Sequence, residues 1–249
     1  MDNRDLLISF DEENHVYTIK NIKIKPISVT TLIHKYFPVF NADNVINKIK
    51  KGCNPANSKY TNLSDDDIKK LWKDNADEAS HRGTIMHKNI EDFLTKNTTT
   101  HPITKEFNMF INFWELLKKT YIDFNFYKSE WVIYDDDALI AGSIDCVLKN
   151  SKTGELIIID WKRSKEIKYN NIYQQGYKPF ENFPDCNFSH YSLQLNFYRH
   201  ILETKYKEKV AIMILVILHP LQDNFMCINV DKIHLDNVWD NLNCFVVYN

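Results

Sequence analysis

Residues 139–162, LIAGSIDCVLKNSKTGELIIIDWK, limit the folds open to this 249-residue chain more than any other stretch. They predict two strands joined by a tight turn. Small and apolar residues alternate around Asp145, turn residues fill 150–154, and an apolar run at 156–159 ends in Asp160-Trp161-Lys162. Gly154 can take the positive φ such a turn needs. Pairing about the turn brings Asp145 opposite the region of Asp160. Side chains alternate along a strand, so Asp160 and Lys162 share one face and Trp161 takes the other. Two carboxylates and an ammonium at the end of an apolar strand make poor core material and suit a metal ion.

Upstream, residues 6–25 read as a small strand hairpin or meander, LLISF, HVYTI and IKIKP. Ser28 can cap a helix through Ile33 and Tyr36 that Pro38 stops. Asn41 or Asp43 caps a second helix ending at Lys51-Gly52. Its Lys48, Lys50 and Lys51 are either a solvated face or a phosphate contact. A polar loop is expected over 53–63. Ser64, with Asp67 three residues on, resembles a capping box for a helix through Leu71 and Trp72. From Ala76 a further helical pattern sets Met86, Ile90, Phe93 and Leu94 on one apolar face, with His87 and Glu91 together on its flank. After Pro102 another amphipathic helix carries Phe107, Phe110, Ile111, Trp114, Leu117 and Tyr121, an aromatic stripe that belongs to a core.

Residues 126–134 form a strand containing Glu130, and an acidic turn at 135–137 is expected to be solvated. Past the hairpin, 163–185 is a long connection without periodicity. It interleaves Lys165, Lys168, Tyr169, Tyr173, Tyr177 and Lys178, which suits phosphates and stacked bases or is a plain surface loop. A helix over 189–206 turns Leu193, Phe197 and Ile201 inward, with Gln194 and Tyr198 on a neighbouring face. A buried strand at 211–218, an edge strand at 225–230 and a terminal helix from Asp231 complete the chain.

Composition excludes some classes. Five widely scattered cysteines with no CxxC give neither a disulfide framework nor a zinc or iron–sulfur site. A net charge of −2 exerts no global pull on nucleic acid and leaves that task to local patches. The acidic start MDNRDLLISFDEEN has no apolar h-region and is too acidic for a transit peptide, and the longest apolar run, 210–218, is too short to span a bilayer. A soluble, intracellular setting is expected, and the richness in Asn, Lys and Ile suits an AT-rich genome, a viral one among the sources.

The order helix, strand, strand, strand, helix, strand, with Asp145 and then Asp160-x-Lys162 on the middle strands, resembles the PD-(D/E)XK nuclease superfamily, and most closely its RecB-like branch. Four blocks carry the resemblance: Gly83-Thr84-x-x-His87-x-x-x-Glu91, Gly142-x-x-Asp145, Asp160-Trp161-Lys162 and Gln194-Leu195-x-x-Tyr198. The segments FPDCNFSHYSLQLNFYRHILETKY and ILHP are similar to nucleases related to the mitochondrial genome maintenance exonuclease.

The resemblance implies an α/β fold (α+β mixed). Residues 76–249 would form an αβββαβ restriction-endonuclease-like core, a mixed central sheet flanked by helices. Residues 1–75 would be an N-terminal appendage of a small hairpin plus helices. It implies a Mg²⁺- or Mn²⁺-dependent deoxyribonuclease without an iron–sulfur cluster, an exonuclease on single-stranded or end-bearing DNA in replication, repair or recombination. A structure-specific endonuclease, or a DNA-binding nuclease-fold subunit of a larger replication or repair complex, are the alternatives. Carried onto this sequence, His87, Asp145, Asp160 and the Trp161 backbone carbonyl would hold the metal, with Glu130 a further carboxylate and Glu91 in support. Lys162 would act on the attacking water and the phosphorane, and Gln194 and Tyr198 would stand beside it. Arg163, Lys165, Lys168, Tyr169, Tyr173 and Tyr177 would contact the DNA.

Overall fold

The computed structural model describes residues 3–52, 59–60, 62–235, 238–239 and 242. The chain divides into two compact units, Met1–Pro38 with Met86–Asn249, and Val39–Ile85. In chain order the elements are β1 (Ile8–Asp11), β2 (Val16–Ile19), β3 (Ile27–Ser28), α1 (Val29–Lys35), α2 (Ala42–Lys51), α3 (Asp65–Lys96), α4 (Lys105–Thr120), β4 (Phe124–Asp135), β5 (Ile140–Asn150), β6 (Leu156–Lys162), α5 (Asn187–Lys205), β7 (Val210–Ile217) and β8 (Met226–Asn229). The fold is mixed α/β, with a six-stranded sheet and a separate β1–β2 hairpin among the described residues.

The turn that the sequence places at 150–154 forms through its own polar groups. Asn150 Oδ1 accepts from the Lys152 and Thr153 amides, Gly154 N donates to Asn150 O at 3.0 Å, and Gly154 takes φ +74°. β5 and β6 pair antiparallel from Lys149↔Leu156 to Cys146↔Ile159. There the pairing stops, one position short of Asp145 and Asp160. β4 lies along the whole of β5 on its other edge, while β3 pairs parallel with the start of β5 at Ile140 and Ala141. Since β4 already occupies one edge, β3 and β6 share the opposite one, and between them β5 residues 142–145 have no strand partner on that side among the described residues. Beyond β6, β7 adds in parallel and β8 antiparallel.

Both faces of the sheet are covered. Leu193, Phe197, Tyr198 and Ile201 of α5, with Leu32 and Ile33 of α1, cover Leu156, Ile158, Leu215 and Ile217 on one face. The α4 stripe, with Met86 and Ile90 of α3, covers Ile157, Ile159, Trp161, Ile214 and Val216 on the other. Trp161 is 1% exposed and meets the rings of Phe110 and Phe113 edge-on at 5.4 and 5.6 Å, so the alternation at 160–162 is enforced by an aromatic anchor.

Four expectations need correction. The boundary after residue 75 fails because the first 38 residues belong to the sheet unit: Ile27 N donates to Leu139 O, and α1 packs on α5. The IKIKP stretch, residues 22–26, forms no strand, and the short β3 that follows it at Ile27–Ser28 joins the large sheet rather than the small hairpin; Pro26 has no amide to donate to a ladder. The two helices expected between Ser64 and Leu94 are one, α3, because nothing in residues 73–76 breaks it; the Ser64–Asp67 capping box does open it, with Asp67 N donating to Ser64 Oγ at 3.1 Å. Asp135 is fully buried rather than solvated, its carboxylate accepting from the amides of Asp137 and Ala138 and from Trp239 Nε1.

The helix caps at Ser28 and Asn41 form as expected, each side chain accepting the amide three residues on. Of the terminal helix, Val238, Trp239 and Leu242 are helical and 231–235 are not; the rest, like most of the 53–63 loop, lies outside the described residues.

Candidate metal centre

Where β5 and β6 part, the freed backbone is taken up by side chains. Asp145 Oδ2 accepts from the Trp161 amide at 2.7 Å, a bond that stands where a ladder pair would have been. Asp145 is 7% exposed. From α3, His87 reaches the same point: its Nε2 is 3.1 Å from the Trp161 carbonyl oxygen, and its Nδ1 is 3.7 Å from Asp145 Oδ2 and 3.8 Å from Glu130 Oε1. A carbonyl can only accept, so Nε2 carries a proton and Nδ1 faces the carboxylates.

Glu130 arrives by an unusual route. Its neighbours Ser129 and Trp131 pair in register with Cys146 and Ile144, but Glu130 itself has φ +46°, in the left-handed region that a side chain with a Cβ enters at a cost on the order of 1 kcal/mol. Ser143 Oγ donates to its Oε2 at 3.0 Å. Strain inside a strand, spent on aiming a carboxylate at His87 and Asp145, is the pattern expected of a built site.

His87, Glu130 and Asp145 each offer one ligand atom, and these atoms lie within 4.8 Å of one another. Asp160 lies outside this trio. Its carboxylate, 1% exposed, receives Lys162 Nζ, which donates to Oδ1 at 2.9 Å and sits 2.8 Å from Oδ2. The Trp161 carbonyl, expected as a ligand oxygen, is engaged by His87, with a second lone pair left over.

The charges respond to this crowding. Burial alone would lower the His87 pKa, but Asp145 and Glu130 outweigh it and raise it to about 9. Burial raises the Asp145 carboxyl, with Glu130 adding to the effect, and raises Asp160 to about 6 against the pull of Lys162. Burial would lower Lys162, yet Asp160 and Asp145 lift it above its ordinary value. Three buried or half-buried carboxylates thus face two cations, and the imidazolium stands where a divalent cation would satisfy the same charge. Carboxylate oxygens with one imidazole are a donor set for Mg²⁺ or, better, Mn²⁺, so the residues fit the ion that the resemblance implies.

The remaining site residues fall into two groups. Gln194 and Tyr198 are buried beside the centre, Gln194 Nε2 donating to Tyr198 Oη at 3.0 Å; neither is open to a substrate. Tyr198 explains Gly142. A Cβ at position 142 would come within 2.4 Å of Tyr198 Cε1, so only glycine lets the ring lie against β5. Gly83, by contrast, has open space about it. Glu91, expected in support of the ligands, accepts from Lys88 Nζ at 2.9 Å on its own helix. Arg163, expected at the DNA, is held in a buried ion pair, Nε to Glu106 Oε1 at 2.7 Å. Lys165, Lys168, Tyr169, Tyr173 and Tyr177 lie on the 163–185 connection, which has no helix or strand; the three tyrosines are exposed, Tyr173 to 87%. The connection is nonetheless pinned to α5, since Lys168 N donates to Asn187 Oδ1 at 2.8 Å and Asn187 Nδ2 to Glu166 O at 2.9 Å. Lys50 of the small basic cluster pairs with Asp65.

Two residues escaped the sequence reading. Tyr17 of β2 feels the charges of Glu130 and Asp145, which with burial push its phenol up to about 12. Tyr191 of α5 lies under Lys162, whose Nζ is 5.1 Å from the ring centroid. The spacing 191, 194, 198 puts Tyr191 on the helix stripe of Gln194 and Tyr198, a signal that was there to read.

No protein-family model matches the chain, and no curated protein matches it. Among solved structures, the crystal structure of SSO0001 is similar over 92% of this chain and 80% of its own, at 16% identity and a TM-score of 0.35. The function is therefore argued from the site itself. No helix among the described residues is long and apolar enough to cross a membrane.

Proposed function

We propose that the protein is a metal-dependent nuclease that hydrolyses phosphodiester bonds in DNA, an exonuclease on single-stranded or end-bearing strands. The observation that carries this is the meeting of His87, Glu130 and Asp145 within 4.8 Å at the point where β5 and β6 part, beside the Asp160–Lys162 pair. His87 Nδ1 and one oxygen each of Glu130 and Asp145 would hold a Mg²⁺ or Mn²⁺ ion. Such an ion, when bound, polarises a phosphoryl oxygen and lowers the pKa of bound water. The Trp161 backbone orients the site from both ends: its amide fixes Asp145 and its carbonyl fixes the His87 tautomer.

Lys162, held protonated by Asp160, contributes positive charge to the phosphoryl oxygens as negative charge develops on them; it is a poor proton acceptor at neutral pH. The exposed Tyr169, Tyr173 and Tyr177, following Lys165 and Lys168 on the same connection, offer stacking surfaces and phosphate contacts of the kind that suit an unpaired strand. The exonuclease assignment and any role in replication, repair or recombination rest on the RecB-like resemblance.

The test is digestion of 5′- and 3′-labelled linear strands beside a covalently closed single-stranded circle, with Mg²⁺, Mn²⁺ or EDTA. Metal-dependent loss of the linear strands with survival of the circle supports the proposal. Cutting of the circle would make the protein an endonuclease. Cleavage by Asp145→Asn or Lys162→Ala at the parental rate would remove this site from the reaction.

A further inference from the structure

The Lys162 ammonium is held from one side by Asp160, at 2.8–2.9 Å, and a lysine on a single carboxylate can still pivot about that contact on four rotatable bonds. Tyr191 supplies a second contact. Its ring is half-buried against the core that α5 shares with the sheet, and Nζ stands 5.1 Å from its centroid, inside the range over which a cation is attracted to an aromatic face. We infer that Tyr191 is a positioning residue that, with Asp160, fixes the direction in which Lys162 presents its ammonium to the scissile phosphate.

The platform under this ring is rigid for reasons local to the sequence. Tyr191 sits in the second turn of α5, and the start of that helix is fastened at several points. His190 Nε2 is 3.0 Å from Asp185 Oδ1, and the His190 ring rests on Phe37 with centroids 4.2 Å apart. Asn187 ties the 163–185 connection to the same turn through the Lys168 amide and the Glu166 carbonyl. Lys162 leads directly into that connection, so the strand end and the ring beneath it are anchored to one another. Gln194 and Tyr198, one and two turns further on, are buried and bonded to each other. Tyr191 is the member of that stripe whose ring meets the lysine.

The inference rests on the nuclease reading for its consequence, but the contact can be tested without it. In protein labelled with ¹³C,¹⁵N-lysine, the ε-methylene protons of Lys162, assigned by loss of the signal in Lys162→Arg, should be shifted upfield by the ring. The shift should persist in Tyr191→Phe and vanish in Tyr191→Leu, a change that keeps apolar volume at the site. In single-turnover cleavage of a linear strand, Tyr191→Leu should lose on the order of tenfold in the rate constant at saturating protein, with the half-saturating concentration within about twofold. Tyr191→Phe should stay within about threefold of the parent, because the ring and not the hydroxyl does the holding. A Lys162 signal that is unshifted in the parent, or unmoved by Tyr191→Leu, overturns the inference. So does a Tyr191→Phe variant as slow as Tyr191→Leu. Absence of cleavage by the parent, with the ring-shifted signal in place, would instead count against the nuclease reading.

Discussion

The contact between Gly142 and Tyr198 makes the sharpest prediction. A Cβ built on Gly142 stands 2.4 Å from Tyr198 Cε1 and 3.2 Å from both Cζ and Oη. Carbon atoms rest about 3.5–4.0 Å apart, so in Gly142→Ala the ring must retreat by more than about 1 Å. It has little room. Tyr198 is 3% exposed, it is bonded through Oη to Gln194, and its helix neighbours Leu195 and Phe197 are fully buried. Overpacking of this kind costs about 1–3 kcal/mol, and the shortness of the contact places this case toward the upper end. For a chain of this size, a cost near 3 kcal/mol is a fall of roughly 6–12 °C in Tm. Differential scanning fluorimetry and urea denaturation would measure it. Tyr198→Leu removes the offending edge, so the double variant should be more stable than the sum of the two single losses predicts, by about 1 kcal/mol or more. Parental stability in Gly142→Ala, or strict additivity in the double variant, would refute the argument that glycine is there to admit the ring.

Three further outcomes are expected. His87, raised to about 9 from 6.5, stabilises the fold where it is protonated: its contribution is fully present below pH 6.5 and is lost as pH rises through about 9. The stability gap between the parent and His87→Gln should therefore be about 2–3 kcal/mol at pH 6 and close by pH 10 in urea titrations; a gap constant with pH would contradict the ion cluster. Arg163→Met strands the buried Glu106 carboxylate and should cost about 3–5 kcal/mol, part of it recovered by adding Glu106→Gln. If Arg163 instead served substrate, Tm would hold and only DNA binding would fall. Replacing Lys165 and Lys168 by Ala should flatten the log Kd–log salt slope for single-stranded DNA by about 1.4, whereas Tyr173→Ala should weaken binding with little change in slope; fluorescence anisotropy across a salt series separates the two.

Much of this was legible because the hairpin states it twice, once in turn chemistry and once in hydrophobic alternation. Asn150 and Gly154 set the register, and the register alone puts Asp145 across from Asp160 and turns Trp161 to the far face. His87 was legible only as one helical histidine among several until the strand carboxylates gave it something to meet. What was missed was missed for identifiable reasons. Tyr17 comes from a hairpin remote in sequence, and nothing in residues 6–25 says which sheet or site it will lie against. Arg163 is expected among the DNA contacts, but its partner, Glu106, lies 57 residues upstream on another element, and nothing local in the sequence joins the two.

Glu130 is the instructive case. Alternation along β4 is a rule about extended backbone, and at φ +46° residue 130 has left that region, so the period of two no longer tells where its side chain goes. A non-glycine residue holds such a φ only when its surroundings over-determine it, and the surroundings here are a hydroxyl, an imidazole and a buried carboxylate. Neither Ser143 nor His87 would be short of partners without Glu130: the serine lies on a strand edge reached by solvent and the imidazole already has Asp145. The strained strand position therefore adds negative charge to a centre that burial has already made costly to charge. The placement of Glu130 therefore counts in favour of the cation proposed for this cluster.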